Sequence, residues 1–113
     1  MNWAMDELEA RARAQLGTLQ DFGERLDLLA SRETSADGLV TVEVDGSGAL
    51  IGLWLSDGAN ELGAVTLGDR IVATAALAAQ DVFARRAQVL ADLHSVLTDQ
   101  LGARPSTTRL DNL

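Results

Sequence analysis

Apolar residues recur every three or four positions through the first part of the chain, which is the spacing of one helical face. This stripe comprises Leu8, Ala12, Leu16, Leu19, Phe22, Leu26 and Leu29. Acidic residues crowd the start of the stripe, where the helix dipole favours negative charge. The pattern therefore predicts an amphipathic first helix from about Asp6 to Ala30.

In the middle of the chain the pattern changes to alternation, which is typical of strands. A short polar edge strand is predicted near Arg32–Ser35, and a second strand over Leu39–Val44, where every second residue is valine. Asp45–Gly48 has the composition of a turn. A third strand, Ala49–Leu55, follows this turn.

The third strand is apolar on both of its faces. Strict alternation places Leu50 and Trp54 on one face, and Ile51, Leu53 and Leu55 on the other. One face can pack on helices of the same chain, but a hairpin in a chain of 113 residues does not need two buried faces. We therefore expect one of the two sets to cover a second copy, so all five residues are candidates for a dimer interface.

A long second helix is predicted from a start near Thr66, a suitable N-cap with Asp69 three residues later. No proline or glycine interrupts the chain from Arg70 to Leu101. Such a helix is about 50 Å long, whereas a compact chain of this size is about 30 Å across. Part of it is expected to project, to pack along the first helix, or to pack on another chain.

The order of elements predicts an α+β fold in one domain over residues 1–101. The tail, 102–113, is polar, and we expect it to be disordered. The two-faced strand and the overlong helix both call for a partner chain, and closed two-fold dimers are the commonest solution.

Charge narrows the functional classes. The chain has 17 acidic residues and nine basic ones, all arginine, for a net charge of −8. A net acidic domain repels the phosphate backbone, which counts against strong DNA binding unless arginines cluster locally. There is no cysteine for a disulfide or a thiolate site. No apolar run is long enough to span a bilayer, and the charged N-terminus lacks a signal-peptide core, so we expect an intracellular protein without a membrane partner.

The arginines are the candidate anion-binding groups. We take as candidate DNA contacts Arg11 and Arg13 on the first helix, and Arg70, Arg85 and Arg86 on the last. The alternative is that arginines lie on solvated helix faces and pair with acids four residues earlier. The pairs with that spacing are Glu7–Arg11, Glu9–Arg13, Asp21–Arg25 and Asp81–Arg85.

Catalytic chemistry has no support in the sequence. His94 is the one histidine, and neither Asp92 nor Asp99 stands three or four positions from it, so a metal site is not expected. Asp45–Gly48 is rich in glycine, but a phosphate cradle opens a helix and here a strand follows. We expect neither an enzyme nor a bound cofactor.

One stretch resembles a known family. The residues that carry the resemblance are the lead-in Ser35-Ala36-Asp37, then Gly38-Leu39-Val40-Thr41-Val42, and the Asp45-Gly46 turn, before a long helix. Over about residues 6–101 the chain resembles the YbaB/EbfC family of bacterial nucleoid-associated proteins. The resemblance implies a homodimer of α-β-β-β-α protomers whose sheets join at the two-fold axis, with long helices projecting like tweezer arms. It also implies a cytoplasmic, nucleoid-associated protein that binds DNA with little sequence preference.

The chain departs from the usual family pattern in having no lysine and in lacking a Met/Pro-rich ending. Actinobacterial relatives also occur beside type VII secretion systems. That branch implies an alternative function, a cytosolic protein-binding accessory or chaperone-like dimer linked to secretion.

Overall fold

The structure is a computed structural model that describes residues 3–101. Its elements are α1 (Trp3–Asp27), β1 (Ala30–Thr34), β2 (Val40–Asp45), β3 (Leu50–Leu55), a short 3-10 turn (Ala59–Leu62) and α2 (Ala64–Leu101). This confirms the α+β class and the predicted order of helix, three antiparallel strands and long helix. The expected disorder of 102–113 lies outside the described residues.

The chain divides into two units. One is Leu26–Ala87, which holds the sheet and the first part of α2. The other takes its described residues from Met1–Arg25 and Gln88–Leu113, and is built from most of α1 and the last part of α2. Within the described residues no helix is both long enough and apolar enough to cross a membrane.

The sheet has the order β1-β2-β3, and both pairings are antiparallel. The valines of β2 all point to one face and are almost fully buried, as their alternation predicts. They pack with Ala78 and Val82 of α2 to form the core of this unit. Partly buried side chains complete it, namely Leu29, Leu39, Leu67, Ile71 and Ala75.

Both helix starts differ from their predicted positions. α1 begins at Trp3. It ends at Asp27, because Ala30 already pairs with Asp45 in the sheet. α2 begins at Ala64, so the prediction of Thr66 as its N-cap is wrong. Gly63, at a φ of 85°, turns the chain into the helix, and its carbonyl accepts the amide of Leu67 at 2.9 Å.

A bulge in β3 changes which side chains share a face. Val40 and Val42 pair with Leu55 and Leu53, whereas the register shifts so that Val44 pairs with Leu50. Directly paired residues project to the same side of a sheet. Leu50 therefore joins Leu53 and Leu55 on the face of the core, and grouping it with Trp54 was wrong. The extra residue of the bulge, Ile51, is what breaks strict alternation.

Candidate nucleic-acid interface

The five candidate arginines belong to two different units. Arg11 and Arg13 lie on α1 in the terminal unit, and the other three lie on the part of α2 that belongs to the sheet unit. Within the sheet unit, Arg70 reaches Asp37 in the β1–β2 turn. Arg85 and Arg86 instead reach the opposite end of the sheet, where β1 begins and β2 ends.

Most of these guanidinium groups are paired with carboxylates. Glu7–Arg11, Glu9–Arg13 and Asp81–Arg85 form as predicted, with N–O distances of 3.6, 3.3 and 2.8 Å. The fourth prediction, Asp21–Arg25, is wrong. Arg25 pairs with Asp92 of α2 at 3.4 Å and lies over the ring of Phe22. That pair joins two helices, so it could not be found from spacing along one helix.

Arg85 is held by a network that fastens α2 to β1. Its Nε and Nη2 atoms donate to Asp81 at 3.2 and 2.8 Å, and Nη2 also donates to the carbonyl of Ala30 at 2.5 Å. The buried Ser31 hydroxyl donates to the same Asp81 oxygen at 2.7 Å. The Ser31 hydrogen bond, followed by Arg85, holds the pKa of Asp81 below its ordinary value. The Nε and Nη2 donors of Arg85 therefore already have protein partners.

Arg86 differs from its neighbour. Within the described residues it has no ion pair. Its Nη1 atom donates a long hydrogen bond to the carbonyl of Gly46, with an N–O distance of 3.4 Å. It lines a cleft of about 360 Å³ at the β2–β3 turn, together with Leu26, Asp27, Asp45, Gly46 and Ser47. Two carboxylates and one guanidinium leave this cleft net acidic. Arg86 is exposed, but the cleft itself does not favour an anion.

The β2–β3 turn closes on its own aspartate and is not a phosphate cradle. One Asp45 carboxylate oxygen accepts the Ser47 amide at 2.9 Å, the Ser47 hydroxyl at 2.7 Å and the Ala49 amide at 3.0 Å. These bonds, the Ser47 hydroxyl first, lower the pKa of Asp45. Gly48 adopts a φ of +86° in the same turn. The amides that an anion would need are thus already engaged, which supports the sequence interpretation as a turn.

Strand β3 exposes apolar side chains on both faces at the edge of the sheet. The exposed fractions of the five candidate interface residues run from 41% to 57%. Leu50, Leu53 and Leu55 lie on the face of the core, yet they remain exposed. On the other face, Arg32 lies over the ring of Trp54 at 4.2 Å and pairs with Glu43 at 3.2 Å. An exposed apolar edge strand is a site where another chain can add.

A second apolar stripe on α2 was missed by the sequence analysis. Val65 and Val72 are seven residues apart, as are Phe83 and Leu90, and all four are exposed. Residues at heptad spacing share one side of a helix, and this side is not the one that packs on β2. The signal was readable in the sequence as two pairs of apolar residues, 65/72 and 83/90, each with a spacing of seven. It was hidden by the stronger core stripe on the same helix.

Groups that could hold a metal are absent from residues 3–101: there is no cluster of three or more His, Cys, Asp or Glu side chains. His94 is exposed on α2. The site residues offer charge and apolar surface, and within the described chain they do not assemble a nucleophile with a base.

This chain is similar to known proteins in sequence and in fold. The family model described as the YbaB/EbfC DNA-binding family matches residues 1–97. Among solved structures, the uncharacterized protein HP0035 from Helicobacter pylori has a similar fold, with a TM-score of 0.61 and 16% sequence identity. The match covers 82% of this chain and 97% of that one. No curated protein matches. The chain belongs to the YbaB/EbfC DNA-binding family.

Proposed function

We propose that this protein is a nucleoid-associated homodimer that binds DNA with little sequence preference in the bacterial cytoplasm. The observation that carries the proposal is the family match over residues 1–97. We further propose that residues 1–101 form the functional unit.

DNA contact is proposed to be made by guanidinium groups on phosphates. Arg86 is the first candidate, because within the described residues no carboxylate engages it. Arg11 and Arg13 come next. Their pairs with Glu7 and Glu9 are largely exposed, and such surface pairs are typically worth under about 1 kcal/mol, so a phosphate can replace the carboxylate. Arg70 and Arg85 are weaker candidates, since their partners tie α2 to the sheet. Contacts of this kind position a protein on DNA without reading bases.

Dimerisation is proposed to occur through β3. Leu50, Ile51, Leu53, Trp54 and Leu55 supply an apolar surface, and the edge of β3 offers unpaired backbone groups. A two-fold pairing would cover the apolar surface and the strand edge, and it would place two copies of Arg86 in one dimer. The local cluster that an acidic chain needs for DNA binding would then come from two protomers.

The test is fluorescence anisotropy of the full chain with several unrelated DNA duplexes of equal length, across salt. We expect similar affinities for all duplexes and a fall in affinity with rising salt. Arg86→Gln should weaken binding to every duplex and lower the salt slope by about 1 for each copy in contact. Arg25→Gln is the matched control, since it removes the same charge from a residue paired with Asp92 and outside the proposed contacts. Absence of binding at about 50 mM salt, where phosphate contacts are strongest, contradicts the proposal.

A second candidate is a protein-binding accessory dimer linked to type VII secretion. The net charge of −8 and the engagement of most arginines by carboxylates favour it. A pull-down from nuclease-treated cytosol separates the two functions. A defined partner that survives nuclease and is lost with Leu53→Asp supports the accessory function, whereas partners that disappear with nuclease support DNA binding.

A further inference from the structure

The backbone groups at the open edge of β3 belong to two leucines. The sheet order β1-β2-β3 leaves one side of β3 without a neighbouring strand. The Ser56 amide donates to the carbonyl of Leu39, just before β2, at 2.9 Å. Because backbone N–H and C=O groups alternate in direction along an antiparallel strand, Trp54 also points towards β2. The N–H and C=O groups of Leu53 and Leu55 therefore point to the open edge.

This edge lacks the features that usually keep a strand edge from pairing. Natural edges are blunted by charged residues, proline or bulges. Strand β1, at the opposite edge of the sheet, carries Arg32 and Glu33. Strand β3 has neither a charge nor a proline, and its bulge at Ile51 comes before Leu53 and Leu55. In a chain of net charge −8, two copies can approach through such an uncharged edge without repulsion at the contact.

The edge groups of Leu53 and Leu55 select one antiparallel register about a two-fold axis. Centred on Leu53, the two copies of Leu53 exchange two hydrogen bonds, but the next pair requires Ile51, which the bulge removes from the regular ladder. Centred on Leu55, the next pair requires Asp57, in the turn after β3. Centred on Trp54, each Leu53 pairs with Leu55 of the other copy, and four hydrogen bonds form. Only this last register uses all of the edge groups.

We propose that β3 pairs with β3 of a second copy in the register centred on Trp54, which sets the two Trp54 rings opposite each other on the outer face of the joined sheet. The inference rests on the proposed dimer through β3 and names its register and contacts. Residues opposite each other at such a non-hydrogen-bonded position have Cα atoms about 4.5 Å apart, and cross-strand aromatic pairs stabilise a sheet. Arg32, from the strand on the far side of β2, already lies over the Trp54 ring at 4.2 Å. The outer face then carries a row of Arg32, Trp54, Trp54 of the second copy and Arg32 of the second copy.

The same register gives partners to the leucines on the face of the core. Leu53 and Leu55 are exposed by 41% and 48%. Directly paired residues project to the same side of a sheet, so each Leu53 meets Leu55 of the other copy on that face. On the outer face Gly52 comes opposite Ser56 of the second copy, so small residues flank the tryptophan pair. A single register thus satisfies the backbone edge, the leucines and Trp54 together, which favours a second copy as the occupant of this edge.

Cross-linking measures the register, because the chain has no cysteine of its own. A disulfide needs Cα atoms within about 7 Å. Trp54→Cys alone should cross-link two copies, whereas Leu53→Cys alone should not, since its two copies lie on a diagonal, about 7–8 Å apart. Mixing Leu53→Cys with Leu55→Cys should give the mixed cross-link. Thr34→Cys, exposed at the end of β1, is the control and should not cross-link.

The outcomes separate this inference from the proposed function. A chain that light scattering shows to be a monomer, or a dimer in which no β3 variant cross-links, overturns the register together with the β3 dimer. Cross-linking of Leu53→Cys alone, without cross-linking of Trp54→Cys, overturns the register and leaves the β3 dimer in place. DNA binding is measured separately by anisotropy, and its absence leaves the register unaffected.

Hydrogen exchange of the unmodified chain is a second measurement, and it needs no substitution in the strand. In the proposed register the amides of both Leu53 and Leu55 donate across the two-fold axis. Both should exchange slowly in the dimer, and dilution to the monomer should speed both by about tenfold or more. A register centred on Leu53 protects Leu53 but not Leu55. That result, or two unprotected amides in a dimer, overturns the proposal.

Discussion

Strands β2 and β3 are neighbours in one sheet and both are apolar, but their side chains differ in burial. Val40 and Val42 on β2 are fully buried, whereas their direct partners Leu55 and Leu53 on β3 are close to half exposed. All four side chains project to the same face. The difference therefore arises from what packs on them: the β2 valines pack with Ala78 and Val82 of α2, whereas the β3 leucines are outside that cluster.

The contrast shows that apolarity and burial are separate properties. The small side chains of Ala75 and Ala78 let α2 approach β2 closely, and the valines fill the space between them. The larger leucines of β3 are outside this cluster and keep apolar surface exposed. The predictions below test this contrast, from the largest expected effect to the smallest.

Placing a charge on each strand should separate the two roles most strongly. Val42→Asp buries an unpaired carboxylate in the core, and we expect it to lower the free energy of unfolding by more than about 4 kcal/mol. Leu53→Asp, in the residue directly opposite, should cost less than about 1 kcal/mol in the protomer but weaken self-association. Urea unfolding and light scattering measure the two effects. Equal destabilisation by both variants would show that β3 is part of the protomer core.

Most of the fold could be predicted from the sequence because its periods are clear. Three valines at alternate positions indicated the buried face of β2, and the absence of helix breakers after Arg70 indicated the length of α2. The start of α2 was misplaced because Gly63, the residue before the helix, has no side chain that marks it as an N-cap, whereas Thr66 has one. The bulge at Ile51 also has no sequence marker, so Leu50 was assigned to the wrong face.

The candidate site was less predictable because its pairs depend on tertiary contacts. Three ion pairs between residues one helical turn apart formed as expected, because both partners of each pair belong to the same helix. Arg25 found Asp92, and Arg70 found Asp37, and both contacts join different elements. The difference between Arg85 and Arg86 also depends on a tertiary contact. Arg85 donates to the carbonyl of Ala30 at the start of β1, whereas Arg86 does not.

The turn that joins the two strands should show the next largest effect. Gly48 has a φ of +86°, and a Cβ atom there would lie 2.7 Å from the Phe83 ring. We expect Gly48→Ala to destabilise the protein by about 1–2 kcal/mol, because the left-handed conformation is costly for alanine and the ring must move. Gly68→Ala, in open space on α2, is the control and should stabilise by up to about 1 kcal/mol. Thermal unfolding measures both, and similar shifts in the two variants would contradict the prediction.

Acid should weaken two sets of hydrogen bonds in the sheet unit, those of Asp45 within its turn and those that link Asp81 to β1. Both carboxyls have a pKa below the ordinary value of 3.8 when folded, through hydrogen bonds led by Ser47 and Ser31 respectively. Their contribution is therefore present above about pH 4 and is lost as pH falls through the folded pKa. We expect Asp45→Asn and Asp81→Asn to be less stable than the unmodified chain at pH 7, with the gap narrowing below pH 4. Urea unfolding at pH 7 and at several values below 4 measures this, and a gap independent of pH would contradict it.

The smallest effect is expected on the outer face of β3. A Cβ atom at Gly52 would lie 2.5 Å from the tip of the Trp54 ring, so Gly52→Ala must displace the ring from its place beside Arg32. Because the ring is partly exposed, we expect a stability change within about 1 kcal/mol but a shift in tryptophan emission, measured with Trp3→Phe in the background. Gly58→Ala is the control, since its Cβ atom would make only an ordinary contact with Leu39 at 3.5 Å. If the emission moves only when the protein also dissociates, Trp54 reports the partner chain rather than its own strand.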